Sequence, residues 1–231
     1  MRRLLAFPLV VMLFPQIVAK AASNVNSVGI AVEDMALASL KTRAEEGDEK
    51  AKSILVARKA ADAGLICANF LLGFTYLEGK SVPQDYVEAM KWLRKAAEKG
   101  DPSSQERVGW MYSYGKGVPE NFVEGLKWYR KAANQGDASA QLGLAIAYGI
   151  GQGVPMDQTE AYVWSNIAVA NGKEEARKAR EAGLRTLSPQ GLKRAQARAN
   201  KLFIEIRVNA QKAQLRKEKD EALLLSGNWN R

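Results

Sequence analysis

Histidine is absent from the 231-residue chain, and Cys67 is its single cysteine. Without histidine, neither a Ser-His-Asp nor a Cys-His catalytic arrangement is possible, and a zinc ion would find almost no ligands. One cysteine excludes an internal disulfide, so the fold must rest on packing alone. We expect Cys67, inside the apolar stretch GLICANFLLG, to be a small buried residue rather than a reactive thiol. The sequence therefore predicts no catalytic residues, no metal site and no cofactor.

Long apolar runs are also missing, except at the N-terminus. Residues 1–21 begin with two arginines, continue with an apolar run over residues 4–19 and end in an Ala-Lys-Ala motif. This order is typical of a signal peptide that is removed near Ala21. An uncleaved membrane anchor is the alternative, but the run is short for a span and is interrupted by Pro8 and Pro15. We therefore expect an exported protein, periplasmic or secreted, with no transmembrane segment after cleavage.

Beyond residue 21, acidic residues stay equally sparse along the chain, whereas basic residues become frequent toward the C-terminus. The formal net charge of +9 divides into +3 over residues 1–21, −2 over residues 22–172 and +8 over residues 173–231. The basic residues of this last segment either form a solvated face or contact an anionic partner, such as phospholipid, an envelope polymer or an acidic protein. Because export is expected, we predict no nucleic-acid partner.

The sequence does contain a repeat of 36 residues. Each copy has a second half that begins with Asp or Asn, carries Glu three residues later and ends at glycine, which predicts a helix with a capping box at its start and a left-handed stop. A helix ending in tyrosine precedes it, so each copy is predicted to be a helical hairpin. The registers that recur without insertion are Tyr76, Tyr112 and Tyr148; Gly79, Gly115 and Gly151; Val82, Val118 and Val154; Pro83, Pro119 and Pro155; Trp92, Trp128 and Trp164; and Gly100, Gly136 and Gly172.

Several residues that suggest chemistry are explained by this pattern. The stretch YGKGVP, with Lys116, lacks the spacing of a phosphate-binding loop and lies between two helices, where its glycines and proline make a turn. The tryptophans recur inside a helix, which favours core packing over carbohydrate stacking. The prominent carboxylates begin helices and so do not form a glycosidase pair; they are predicted to cap as Asp85 with Glu88 and Asp157 with Glu160, and Asn121 with Glu124 makes the third box.

The order Leu-Gly-x-x-Tyr, a G-x-G-V-P-like turn, Asp, Ala, Trp, Ala-Ala and Gly resembles the Sel-1-like repeat family, relatives of the tetratricopeptide repeats. Ser81 replaces the second turn glycine, Gly125 the helix alanine and Val169 the second alanine of the pair. The resemblance implies an all-α fold: an α-solenoid, a right-handed superhelix of stacked helix-turn-helix repeats with helical caps. The predicted parts are a signal peptide (1–21), an N-terminal cap or degenerate repeat (22–65), three repeats (about 66–100, 101–136 and 137–172), C-terminal capping helices (173–206) and a basic tail (207–231).

The resemblance also implies an exported bacterial adaptor or scaffold, not an enzyme, that binds a protein or peptide, and we expect a monomer. In such solenoids the first helix of each pair lines the concave side. An apolar stripe of Phe74, Trp110 and Ile146, which share one register, would run along that side with Trp110 as anchor, unless other parts of the chain cover it. The predicted groove residues are Phe70, Phe74, Leu77, Glu106, Trp110, Ser113, Leu142 and Ile146.

The last predicted helix offers an alternative function. Its apolar residues at helical spacing should close the solenoid, namely Leu192, Ala195, Ala199, Leu202, Phe203 and Ile206. The basic residues around it, Lys193, Arg194, Arg198 and Lys201, are candidate contacts to an anionic envelope surface. A β-lactam-related envelope enzyme is a third possibility, since some exported relatives have been linked to β-lactams. It is disfavoured because those relatives join each repeat with paired cysteines.

Overall fold

The computed structural model describes residues 37–225, with side chains described up to residue 215. The predicted signal peptide and the first part of the N-terminal cap lie outside the described residues. The chain divides into two compact units, residues 1–56 and 57–231. In the first unit residues 37–45 are helical, and helix α1 (Glu49–Asp62) begins after Asp48. The Asp48 Oδ1 atom accepts hydrogen bonds from the backbone N–H groups of Lys50 and Ala51, which explains why the helix starts there.

The second unit is a stack of helical hairpins. Helices α2 and α3, α4 and α5, and α6 and α7 form the three pairs, and the described residues contain no β-strand. The predicted all-α, solenoid-type fold is thereby confirmed. The helices are α2 (Ile66–Glu78), α3 (Tyr86–Glu98), α4 (Pro102–Ser113), α5 (Phe122–Asn134), α6 (Ala138–Ile150), α7 (Gln158–Ala170), α8 (Arg177–Thr186) and α9 (Pro189–Leu225), with a 3-10 turn at Glu174–Ala176 between α7 and α8.

The second helix of each hairpin starts at the predicted cap, but only half of the capping box is present. The Asp85 Oδ1 atom accepts from the backbone N–H groups of Val87 and Glu88 at 2.9 and 3.0 Å. Asp157 Oδ1 accepts from the equivalent pair, and Asn121 Oδ1 accepts from the N–H of Glu124. The predicted return bond from the glutamate is wrong. The turn brings the end of the first helix over the cap, so the cap N–H groups donate to tyrosine carbonyl oxygens: Asp85 to Tyr76, Asn121 to Tyr112 and Asp157 to Tyr148.

Core packing follows the repeat pattern. The side chains of Trp92, Trp128 and Trp164 are 1%, 5% and 5% exposed, which confirms them as core residues. Within the second hairpin the two helices touch at glycine: a Cβ atom added to Gly125 would lie 2.8 Å from the Gly109 carbonyl oxygen. The departure of Gly125 from the family pattern therefore has a steric cause.

Helix α9 closes the stack, as predicted. Ala195, Ala199 and Ile206 are buried in the same cluster as Leu144 and Trp164, and Leu192, Leu202 and Phe203 pack against it. The Ser188 Oγ atom accepts from the backbone N–H of Gly191 and so caps the start of the helix.

Buried amides connect successive hairpins. Gln105 and Gln141 are 5% and 0% exposed, and each donates from Nε2 to a carbonyl oxygen of the previous hairpin, Ala97 or Ala133. Each amide oxygen in turn accepts from a side-chain amide 30 residues further along, at 2.7 Å from Gln135 and at 2.9 Å from Asn171. Both the donor and the acceptor of these two buried amides are therefore hydrogen-bonded at the later junctions.

The second turn glycine is a point of contact between hairpins. Gly117 has φ +72°, and a Cβ atom there would lie 2.2 Å from the carbonyl oxygen of Tyr86, at the start of α3. A Cβ atom added to Gly153 would lie 2.8 Å from the Cβ atom of Phe122, at the start of α5. Since a side chain does not fit at these two positions, the turn is shaped by stacking.

Cys67 is exposed, so its predicted burial is wrong. It lies in the first turn of α2, next to the exposed residues Leu65 and Ile66. The buried face of this helix begins one residue later, at Ala68 and Asn69. The apolar composition of the surrounding stretch concealed this change of face.

Candidate partner-binding site

A concavity of about 270 Å³ lies among helices α4, α5 and α6. The first helix of the second hairpin, the first helix of the third hairpin and α5 all contribute to its lining. Eight of the lining residues are aromatic or aliphatic, and the others are polar or charged residues and one glycine. The lining residues are Glu106, Arg107, Trp110, Ser113, Tyr114, Phe122, Leu126, Tyr129, Ser139, Leu142, Gly143, Ile146, Ala147, Gln152 and Lys173.

Five of the eight groove residues predicted from the sequence line this concavity. All five lie on the first helix of the second or third hairpin, at positions that the repeat register predicts to face the same side. These residues are Glu106, Trp110, Ser113, Leu142 and Ile146.

The mouth of the concavity exposes apolar surface. Trp110 is half-buried, and its ring centroid lies 5.4 Å from that of Tyr114. Tyr114 is 61% exposed, and Ile146, which lines the same concavity, is 46% exposed. An aromatic pair and an aliphatic side chain in one open cleft are suited to contact with an apolar group of a partner.

The three predicted residues of the first hairpin lie outside this concavity. Phe70 and Phe74 are half-buried and stack on each other, with 5.9 Å between ring centroids. Leu77 is 7% exposed, because it packs into the hairpin, so the prediction that it faces a partner is wrong. Arg107 connects the two regions: its guanidinium lies 5.8 Å from the Phe74 ring centroid, while the same residue lines the concavity.

A carboxylate lies in the wall of the concavity. The Glu106 side chain is 11% exposed, and its Oε2 atom lies 3.3 Å from Arg107 Nε. Burial raises the pKa of Glu106, the Asp137 charge adds to that shift, and the positive charges of Arg107 and Lys173 oppose it. The pKa of Tyr129, in the same wall, is also raised, chiefly by burial. Removal from water is therefore the dominant electrostatic effect at the site.

Sequence reasoning missed four of the residues that matter here. Tyr114 and Lys173 follow the ends of helices, and Tyr129 belongs to a second helix, so the first-helix rule passed over them. Arg107 follows Glu106 directly, and only the structure shows that it bends toward Phe74. The signal available in the sequence was Tyr129, which stands where the other two copies have Leu93 and Ser165.

The predicted basic residues of α9 do not all have the same surroundings. Lys193, Arg194 and Lys201 are exposed. Arg198 is also exposed, but its Nε atom lies 2.8 Å from Glu160 Oε1, at the start of α7. Arg198 thus pairs with a repeat, whereas the other three carry charge on the outer surface.

Within residues 37–225, no cluster of Asp, Glu and Cys side chains is arranged to hold a metal ion. A helix both long and apolar enough to cross a bilayer is likewise absent from that part of the chain.

The hairpin stack and its concavity define a helical-repeat protein of the type that presents a binding surface. The Sel1 repeat model matches three times, over residues 68–101, 102–137 and 138–173. A Sel1 repeat protein from Oxalobacter formigenes is 37% identical with a TM-score of 0.51, over 57% of this chain and 98% of that one. The chain belongs to the Sel1 repeat family, whose members typically mediate protein–protein interactions.

A second solved structure is similar over part of its length. It is c5321, a protective antigen present in uropathogenic Escherichia coli strains that displays an SLR fold. It is 36% identical with a TM-score of 0.53, over 61% of this chain and 34% of that one, so this chain spans about a third of the antigen's length. No curated protein matches the sequence.

Proposed function

We propose that this Sel1 repeat protein is a non-catalytic adaptor that binds a peptide or protein segment in the concavity between its second and third hairpins. The observation that supports this most directly is the half-buried Trp110, which lines the same open cleft as the exposed Ile146. Large aromatic side chains in partly desolvated clefts supply much of the binding energy in protein complexes.

The charge of the cleft indicates what the partner carries beside its apolar group. Glu106 has lost most of its hydration, and Arg107 approaches only its Oε2 atom at 3.3 Å. A partner that brings a hydrogen-bond donor or a cation would compensate for the lost hydration, whereas a partner carboxylate would meet a like charge. The proposed segment is therefore apolar with an adjacent donor, such as lysine or arginine.

We also propose that the protein is exported from the cytoplasm. The basic start, apolar run and Ala-Lys-Ala motif of residues 1–21 support secretion across the inner membrane of a bacterium, with the mature chain acting as a monomer in the periplasm or outside the cell. Fractionation of the producing cells tests it: the chain should appear outside the cytoplasm and begin near Ala22 by N-terminal sequencing.

Selection of displayed peptides against the full-length protein tests whether the cleft binds a partner. Selection should enrich peptides with apolar residues next to lysine or arginine, and Trp110→Ala should weaken their binding by about 2 kcal/mol or more. Val123→Ala is the matched control, since Val123 is 55% exposed and lies outside the cleft. Peptides that bind the wild type and W110A equally well would remove the cleft from the proposal.

The same selection tests the proposed charge of the partner separately from the location of the binding site. Glu106→Gln should abolish the enrichment of basic residues while leaving apolar enrichment unchanged, because the amide keeps the shape and loses the charge. If Trp110-dependent peptides prove acidic, the cleft is correct and the assignment of a donor-bearing partner is wrong.

A further inference from the structure

Helix α9 has a second apolar side that the closure of the hairpin stack does not use. Ile204, Val208 and Leu215 are 60%, 41% and 50% exposed. With 3.6 residues per turn, these three residues lie within about 40° of one another around the helix axis. The same geometry places them on the opposite side from Ala199, which is buried against the repeats.

This alignment distinguishes the three residues from ordinary exposed apolar side chains. Single exposed valines and leucines are normal on protein surfaces. Here they form one stripe on a helix of 37 residues, whose other side is already occupied by packing. A helix that is apolar on two opposite sides is suited to two contacts, one with its own protein and one with something else.

Positive charge borders the stripe on both sides. Residues 189–215 contain six basic residues and a single acidic one, Glu205. Arg198 is used in the pair with Glu160, and the remaining five basic residues are exposed. Lys193 and Arg207 lie on one side of the stripe, and Arg194, Lys201 and Lys212 lie on the other.

The charge distribution indicates which kind of partner binds the outer face of α9. A second copy of α9 would bring like charges together along both borders, which disfavours self-association. Protein interfaces are generally poor in lysine and rich in aromatic residues, whereas this face has three lysines and an aliphatic stripe. Aliphatic residues flanked by lysine and arginine are the composition of helices that lie in the plane of an anionic membrane surface.

We propose that the outer face of α9, with Ile204, Val208 and Leu215 as its apolar stripe, docks on an anionic phospholipid surface. The stripe enters the headgroup region, and the bordering lysines and arginines contact lipid phosphates. This docking is independent of the cleft at Trp110, because that cleft is lined by other helices.

Vesicle cosedimentation with the full chain tests the proposal. The wild type should partition at least about tenfold better onto vesicles with roughly one third phosphatidylglycerol in phosphatidylcholine than onto phosphatidylcholine alone. The triple variant I204Q/V208Q/L215Q should lose about tenfold of that partition. Every variant keeps residues 1–21, so any lipid affinity of that segment is common to all of them.

A matched triple variant controls for the loss of apolar surface. V87Q/V123Q/I150Q removes three residues that are 65%, 55% and 64% exposed elsewhere, and it should change partition less than about twofold. L215Q alone gives a second measurement that cannot disturb the core, since it lies more than two turns beyond Ile206. L215Q should lower partition measurably, and circular dichroism should show unchanged helix content.

Three results would overturn the proposal. The first is equal partition of the wild type and I204Q/V208Q/L215Q; the second is partition that does not depend on phosphatidylglycerol. The third is binding of an acidic amphipathic peptide, but of neither vesicle type, which would assign the face to an acidic protein partner.

Discussion

The junctions between hairpins and the concave cleft differ in how far they repeat. At the junctions the same contact recurs: Arg94 donates to the Tyr112 hydroxyl at 3.3 Å, and Arg130 donates to the Tyr148 hydroxyl at 2.6 Å. The buried amides Gln105 and Gln141 recur in the same way. A side chain at these positions has to satisfy the same neighbours in each copy.

The cleft positions change in every copy. One register holds Phe74, Trp110 and Ile146, and the neighbouring register on the same face holds Phe70, Glu106 and Leu142. No common neighbour restrains them, so their chemistry is free to follow a partner. The difference teaches that the constant registers carry stability and that the varying registers carry binding.

Replacing each of two tryptophans with alanine tests this division. Trp128→Ala removes a buried side chain from a constant register and should lower the free energy of unfolding by about 3–5 kcal/mol. Trp110→Ala removes a half-buried side chain from a varying register and should cost only about 1 kcal/mol. Urea denaturation followed by far-ultraviolet circular dichroism measures both, and similar losses would contradict the division.

A smaller effect is expected at the buried amides. Gln141→Leu keeps the volume but removes the donor to the Ala133 carbonyl and the acceptor for Asn171, so it should cost about 2 kcal/mol. The equivalent change Asn69→Leu should cost less than about 1 kcal/mol, because the Asn69 Oδ1 atom is buried with no hydrogen-bond partner in the described part of the chain. The same urea titration compares the two variants, and a larger loss for N69L would show that the first junction is not the weaker one.

Local chemistry explains what was predictable. Helix starts at Asp85, Asn121 and Asp157 and helix ends at Gly100 and Gly136 depend on residues within a few positions, so the sequence located them. The cleft was also predictable in part, since the register of a first-helix residue fixes its face. Periodicity does not report depth, and for this reason it places Leu77 on the surface. The expectation for Cys67 rests on the apolar composition of its surroundings, which does not show where the buried face of the helix begins.

Contacts between distant elements were not predictable in the same way. The capping glutamates of the first two copies share a lysine partner, Lys91 for Glu88 and Lys127 for Glu124, and Glu88 also accepts from Trp92 Nε1. Glu160 pairs instead with Arg198. The last of these joins α7 to α9, and nothing in the local sequence points to it. The amide register at 69, 105 and 141 was visible as a recurring polar residue in an apolar helix, but its partners appear only once the hairpins are stacked.

The first junction, where Asn69 Nδ2 donates to the Ala61 carbonyl oxygen, allows a smaller effect to be tested, because no side-chain amide stands at position 99. Lys99 stands where the later junctions have Gln135 and Asn171, and its Nζ atom donates to the Gly64 carbonyl oxygen instead of to Asn69. Lys99→Gln should supply the missing donor to Asn69 Oδ1. The bond to Gly64 is lost whether residue 69 is Asn or Leu, so a double-mutant cycle with N69L isolates the new amide pair.

The expected coupling in that cycle is about 0.5–1 kcal/mol in favour of Asn69 with Gln at position 99, the range of a neutral hydrogen bond. Urea titration of the wild type, K99Q, N69L and the double variant gives this coupling. Lys80→Gln serves as the control, since Lys80 pairs with Glu78 in the turn and does not approach Asn69. Strict additivity of K99Q and N69L would mean that the amide contacts of the later junctions depend on more than this one register, and that the first hairpin is joined to residues 61–64 by other means.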